Sequence, residues 1–131
     1  MTKPKKQQIT VWNIGYQHHN QDSFVRVLQQ NQISLLVDLR SKPYSRISGF
    51  NQATLKLRLA QEGIEYLWVG NQLGGLGCTR GQWEQGCIEL TKLARDKRLA
   101  MMCMEAEVEK CHRNKLGEML TFFHQVRNIN L

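Results

Sequence analysis

The sequence predicts an α/β fold: one domain, in three layers or two, with a mostly parallel sheet of four to five strands and about four helices. Three observations predict it. Short runs of β-branched, aliphatic and aromatic residues recur at 9–14, 33–38, 64–69 and 99–104. Stretches with helical apolar spacing separate them, and the separations are too long for hairpins, so crossovers must join the strands. The second and fourth runs are apolar almost throughout, as strands covered on both faces are.

Each element has its own signal. Residues 1–8, with Lys3, Lys5 and Lys6, form a basic arm expected to be disordered, ahead of a domain spanning 9–131. The first strand, 9–14, ends in a turn at Gly15 and Tyr16. Asp22 or Ser23 is expected to cap a helix reaching about residue 31, with Phe24, Val25 and Leu28 on one face. The second strand delivers Asp38 and Arg40 to its carboxyl end. A loop then carries Lys42, Tyr44, Ser45 and Arg46 around Pro43. Asn51 is a suitable cap for a helix over about 52–62, with Leu55, Leu59 and Ala60 as its buried stripe and Gly63 as its stop.

After the third strand comes a glycine-rich stretch, 70–81, with Arg80 inside it. It lacks the Gly-Lys-Ser/Thr of a Walker loop, so a tight or flexible turn is favoured over a phosphate loop. A helix over 83–95, built on Cys87, Ile88, Leu90, Leu93 and Ala94, leads through 96–98 into the fourth strand. That strand runs directly into Cys103, Glu105, Cys111, His112 and Arg113, and a last helix follows over about 113–126.

Composition narrows the field. The chain has 131 residues, 41% of them hydrophobic, and no apolar stretch long enough to cross a bilayer. The basic N-terminus has no apolar segment behind it, so it is not a secretory signal, and the cytoplasm is the expected location. The four cysteines contain no Cys-x-x-Cys pair. Free thiols are expected rather than disulfides, and neither a metal site nor a cofactor is expected. Lys and Arg total 18 against 11 Asp and Glu, a net charge of +7, which favours anionic partners such as nucleic acid or nucleotides.

Ligands of parallel α/β sheets bind beyond the carboxyl ends of the strands. Those ends contribute Tyr16, Asp38 with Arg40, and Cys103 with Glu105. Carboxylates beside guanidinium groups are ionised at neutral pH and can orient a water, while the guanidinium offers paired donors to phosphate. Cys111, His112 and Arg113 fall at a helix start, where unpaired N–H groups favour anions and activate thiols. For Cys111 the simpler reading is a small buried residue; for His112, a hydrogen-bonding place in the wall. Met101, Met102, Met104 and Met119 are most simply core, as are Trp12 and Trp68. Tyr16 and Tyr44 lie in rim loops, where a ring could stack on a base.

Together, the turn at 14–16, the segment 37–46 with its Asp-Leu-Arg-Ser-Lys-Pro-Tyr-Ser-Arg run, Leu73-Gly-Gly at 73–75, and Cys103-x-Glu105 followed by Cys111-His112-Arg113 resemble the domain-of-unknown-function family numbered 488. The resemblance covers roughly residues 9 to 123. It implies an α/β fold in small prokaryotic cytoplasmic proteins. It implies recurring polar positions at Tyr16, Asp38, Arg40, Pro43, Ser45, Arg46, Glu105, Cys111, His112 and Arg113. It carries no settled activity.

The first functional expectation is an enzyme acting on a nucleobase, nucleotide or nucleic acid, with N-glycosidic bond hydrolysis as the candidate reaction. Asp38 or Glu105 would place the water or steady an oxocarbenium charge. Arg40, Arg46 and Arg113, with Ser45, would hold phosphate. The alternative is a nucleotide or nucleic-acid binding module without bond breaking, and the acids discriminate between them: locked in salt bridges, they favour the binder. A third reading is thiol chemistry through Cys111 activated by His112.

Overall fold

The computed structural model describes residues 9–73, 78–104 and 112–131, with the backbone alone at 112–115 and 122–123. Among the described residues ten elements follow one another: β1 (Thr10–Gly15), α1 (Gln21–Gln30), β2 (Leu35–Asp38), α2 (Gln52–Gln61), β3 (Glu65–Trp68), α3 (Gly70–Leu73), α4 (Arg80–Asp96), β4 (Leu99–Cys103), α5 (His112–His124) and β5 (Arg127–Asn130). The five strands form one sheet in the order β3-β2-β4-β1-β5, and every pairing is parallel. This is the predicted α/β class, with β4 at the centre.

Strand parity sorts the core into two layers. Along β4, Ala100 and Met102 face one way with Trp12, Ile14 and Leu36, packing under Phe24, Val25 and Leu28 of α1 and Leu55 and Leu59 of α2. Leu99 and Met101 face the other way with Val11, Leu35 and Val37, under Cys87, Leu90 and Ala94 of α4 and Leu116 and Leu120 of α5. The fold therefore has three layers. The chain winds one way along the sheet with α1 and α2 on one face, then back with α4 and α5 on the other, as crossovers of a single hand require.

Several boundaries differ from the sequence expectation for local reasons. The cap of α1 is Asn20, not Asp22 or Ser23: its side chain accepts from Ser23 N at 2.7 Å while Ser23 Oγ accepts from Asn20 N at 3.1 Å. Thr79 and Gln82 form the same reciprocal pair, so α4 starts at Arg80 rather than Trp83. Arg80 is thus a helix residue, exposed and bonded to Glu84 at 3.1 Å, not part of a glycine-rich loop. The loop also gives up Gly70–Leu73 to a single helical turn. Asn51 occupies the first position before α2 but makes no cap bond; its side chain accepts from Ser45 N at 2.7 Å instead. The last helix ends at His124 rather than about 126, and Gln125, with φ at 56°, turns the chain into β5, a strand outside the four runs that the sequence marks.

Cys87 illustrates how the core suppresses thiol chemistry. It is 1% exposed, and burial, with Glu84 as a lesser cause, pushes its thiol up to about 11. Native protein treated with iodoacetamide at neutral pH is expected to leave Cys87 unmodified, and the denatured chain to react there fully. Peptide mass spectrometry distinguishes the two; rapid native labelling would mean that α4 opens locally.

Candidate functional site

A ligand crevice opens in a parallel sheet where neighbouring strands send their connections to opposite faces. Here β4 leads to α5 on one face, whereas its neighbours β1 and β2 lead to α1 and α2 on the other. The crevice therefore straddles the carboxyl end of β4. Backbone bonds carry the ladder past the strand ends and hold the rim flush: Tyr16 N to Cys103 O at 3.2 Å, Gln17 N to Met104 O at 2.8 Å, Leu39 N to Met102 O at 3.0 Å and Val69 N to Asp38 O at 3.0 Å.

At that rim Asp38 and Arg40 bind each other. Asp38 is 0% exposed and Arg40 6%. The guanidinium straddles the carboxylate, Nε to Oδ1 at 2.9 Å and Nη2 to Oδ2 at 2.8 Å, and Arg40 N donates to Oδ1 at 3.0 Å. The Tyr66 hydroxyl donates to Oδ2 at 2.5 Å. Arg40 Nη1 donates to Phe50 O at 2.6 Å and to the Tyr16 hydroxyl at 3.3 Å. Burial opposes the Arg40 charge, but the bonds and charge of Asp38, with Tyr16 adding, hold its pKa above the ordinary arginine value. Burial first, then its bond to Asp38 and the charge there, raises Tyr66 well above the usual tyrosine range, Arg40 drawing back only part. Two ionised groups taken out of water need this many partners.

This pair fastens the loop after β2. Phe50, whose carbonyl Arg40 holds, stacks on Tyr16 with ring centroids 4.5 Å apart and meets Phe24 edge-on at 5.3 Å. Arg40 O accepts from Trp68 Nε1 at 2.7 Å, and Gly70 lies so close that a Cβ there would sit 1.8 Å from the same oxygen. Farther along, Gly49 O accepts from Gln21 Nε2 at 2.9 Å, Pro43 O from Gln52 N at 3.0 Å, and Ser45 Oγ from Ile47 N at 3.0 Å. Pro43 and Phe50 are buried, whereas Lys42, Tyr44 and Arg46 are exposed.

The residues expected from sequence thus divide. Tyr16, Asp38 and Arg40 come together, but beneath the loop and bound to one another; Tyr16 is 1% exposed, with one ring face covered by Phe50. Tyr44 and Arg46 lie on the outer surface of the loop, with Ser45 half-buried between them. Glu105 and Cys111 lie outside the described residues, as do the side chains of His112 and Arg113, whose backbone forms the first turn of α5. Of the residues the structure adds, Tyr66, Trp68, Phe50 and Gly70 brace the pair. On β1, Asn13 is buried and donates to Asn128 Oδ1 at 3.2 Å, while its own Oδ1 has no hydrogen-bond partner among the described residues. A polar residue inside an otherwise apolar strand was the signal for Asn13. Tyr66 and Trp68 gave none, because only the register of β3 on β2 sets them on the face of Asp38.

Fold and rim define a three-layer α/β domain in which the two strands flanking the central one send their connections to the same face of the sheet. The family model described as "Domain of unknown function DUF488" matches residues 20–85, about half the chain, and the chain belongs to that family. The matched span holds the 37–46 and 73–75 motifs; those at 14–16 and 103–113 fall beyond it. Neither the curated proteins nor the solved structures yield a match. Among the described residues no helix is long and apolar enough to cross a membrane, and no three His, Cys, Asp or Glu side chains group as metal ligands.

Proposed function

We propose that this chain binds the phosphates of a nucleotide or nucleic acid at the crevice rim, through Lys42 and Arg46 on the loop after β2. One observation carries the reading: Asp38 and Arg40 are sealed from solvent and committed to each other, while the loop they fasten holds out two cations. Lys42 and Arg46 join no ion pair among the described residues. The net charge of +7 adds a field that draws polyanions to the surface.

Bond breaking is the second reading, and Asp38 is poorly suited to it. Its Oδ1 accepts from Arg40 N and Nε, and its Oδ2 from Arg40 Nη2 and Tyr66, so neither oxygen is left to position a water. A glycosidase-like enzyme would use Glu105 as its carboxylate, and a thiol enzyme would use Cys111 with His112.

Fluorescence anisotropy with labelled DNA and RNA oligonucleotides across a salt series tests the binding. The Lys42→Ala/Arg46→Ala variant is expected to lose affinity at every salt concentration and to flatten the salt slope by about 0.7 per residue on single strands and about 0.9 on duplex. Absence of binding to any nucleic acid or nucleotide at low salt would sink the proposal. Chromatography for released base, with Glu105→Gln as control, separates enzyme from binder.

A further inference from the structure

We propose that the loop after β2 engages single-stranded nucleic acid, with Tyr44 as a platform for one unpaired base and Lys42 and Arg46 holding the phosphates on either side of it. This rests on the phosphate-binding reading above and narrows its ligand.

Exposure along the loop alternates. Lys42, Tyr44, Arg46 and Ser48 point to solvent, while Pro43 is buried and Ser45, Ile47 and Gly49 are half-buried. The outward set therefore reads cation, aromatic ring, cation, with the ring in the middle. An internal nucleotide of a strand presents the same order: phosphate, base, phosphate. A mononucleotide would satisfy only one of the two cations. Arg46 lies four positions beyond Lys42, a backbone span of at most about 14 Å, so both heads can reach phosphates adjoining one base.

Tyr44 is 74% exposed, more than any other large hydrophobic side chain among the described residues. It is nonetheless held on a braced backbone. Tyr44 N donates to Lys42 O at 2.8 Å, Pro43 O accepts from Gln52 N at 3.0 Å, and Ser45 N donates to Asn51 Oδ1 at 2.7 Å. A ring kept in water on a fixed support loses little freedom when it stacks, which favours binding. Every base has a π-face, so such a platform tolerates any sequence. In a duplex those faces are already stacked on neighbouring pairs, and only the phosphates remain for the loop to contact. The ring therefore contributes to single strands and not to duplex.

The test uses the full chain and four labelled probes of equal length: single-stranded DNA, single-stranded RNA, the DNA duplex, and an abasic single strand with the same phosphates. The wild type is expected to bind either base-bearing strand more tightly than the duplex or the abasic strand. Tyr44→Ala should weaken the base-bearing strands by between about fivefold and 150-fold and leave the abasic strand unchanged. Tyr44→Phe, which keeps the ring, should stay within about twofold of wild type. Both variants should melt with the parent, since the ring is exposed. The inference is overturned if Tyr44→Ala binds single strands undiminished, or if abasic and base-bearing strands bind alike. In either case, binding that still depends on Lys42 and Arg46 leaves the phosphate-binding reading standing. Binding of no probe overturns this inference, and absence of nucleotide binding as well overturns both.

Discussion

Replacing Arg40 with alanine is expected to lower folding stability by about 3–5 kcal/mol, the usual cost of stranding one member of a buried ion pair. Among the described residues, the change leaves the fully buried Asp38 carboxylate with the Tyr66 hydroxyl and the backbone N–H of residue 40 as donors, and strips Phe50 O and the Tyr16 hydroxyl of a donor. Domains of this kind are stable by about 5–15 kcal/mol in total. The variant should accordingly melt on the order of 10–20 °C below the parent. Urea titration followed by tryptophan fluorescence measures the loss. Removing both charges, in Asp38→Leu/Arg40→Met, should cost less than the two single replacements summed, since no lone charge remains. If Arg40→Ala unfolds at the same urea concentration as the parent, the pair does not fasten the loop.

Gly70→Ala is expected to do comparable damage for a steric reason. The added methyl would lie 1.8 Å from Arg40 O and 2.4 Å from Trp68 Nε1, inside the bond between those two atoms. A backbone oxygen cannot step aside as a flexible side chain can, so the loss should reach or exceed the top of the roughly 1–3 kcal/mol usual for overpacking. Gly63→Ala is the control. Gly63 has φ at +74° but open space around its Cβ position, and the strain of a left-handed alanine is about 1 kcal/mol. Thermal melts should therefore order the variants parent, Gly63→Ala, Gly70→Ala. Equal melting of the two glycine variants would contradict the close approach of β3's exit to Arg40.

How far the sequence discloses this molecule depends on how local each cause is. The central strands were legible because burial on both faces demands apolar residues at every position, as at Leu35, Leu36 and Val37. β5, with the sequence Arg-Asn-Ile-Asn, was not: it lies at an edge, is at most half-buried, and becomes a strand only by pairing with β1. The one-turn α3 begins at Gly70, whose close approach to Arg40 is a constraint no local propensity encodes. At the site, the pairing of Asp38 with Arg40 at a strand end could be read directly. Which way the pair faces could not, because the groups that enclose it, Tyr16, Phe50 and Tyr66, lie 24, 10 and 28 residues away. Tyr44 and Arg46 were legible as rim residues because an exposed loop leaves its side chains where composition suggests.

The central position of β4 also bears on how the polypeptide acquires its shape during synthesis. Among the described strands β1 hydrogen-bonds to β4 and β5 alone, and so has no strand partner until synthesis has passed Leu99, where β4 begins. Until then β2 and β3 can associate, while Val11, Trp12 and Ile14 remain an unclaimed apolar segment. Such late, long-range closure favours slow maturation and engagement by chaperones in the interval.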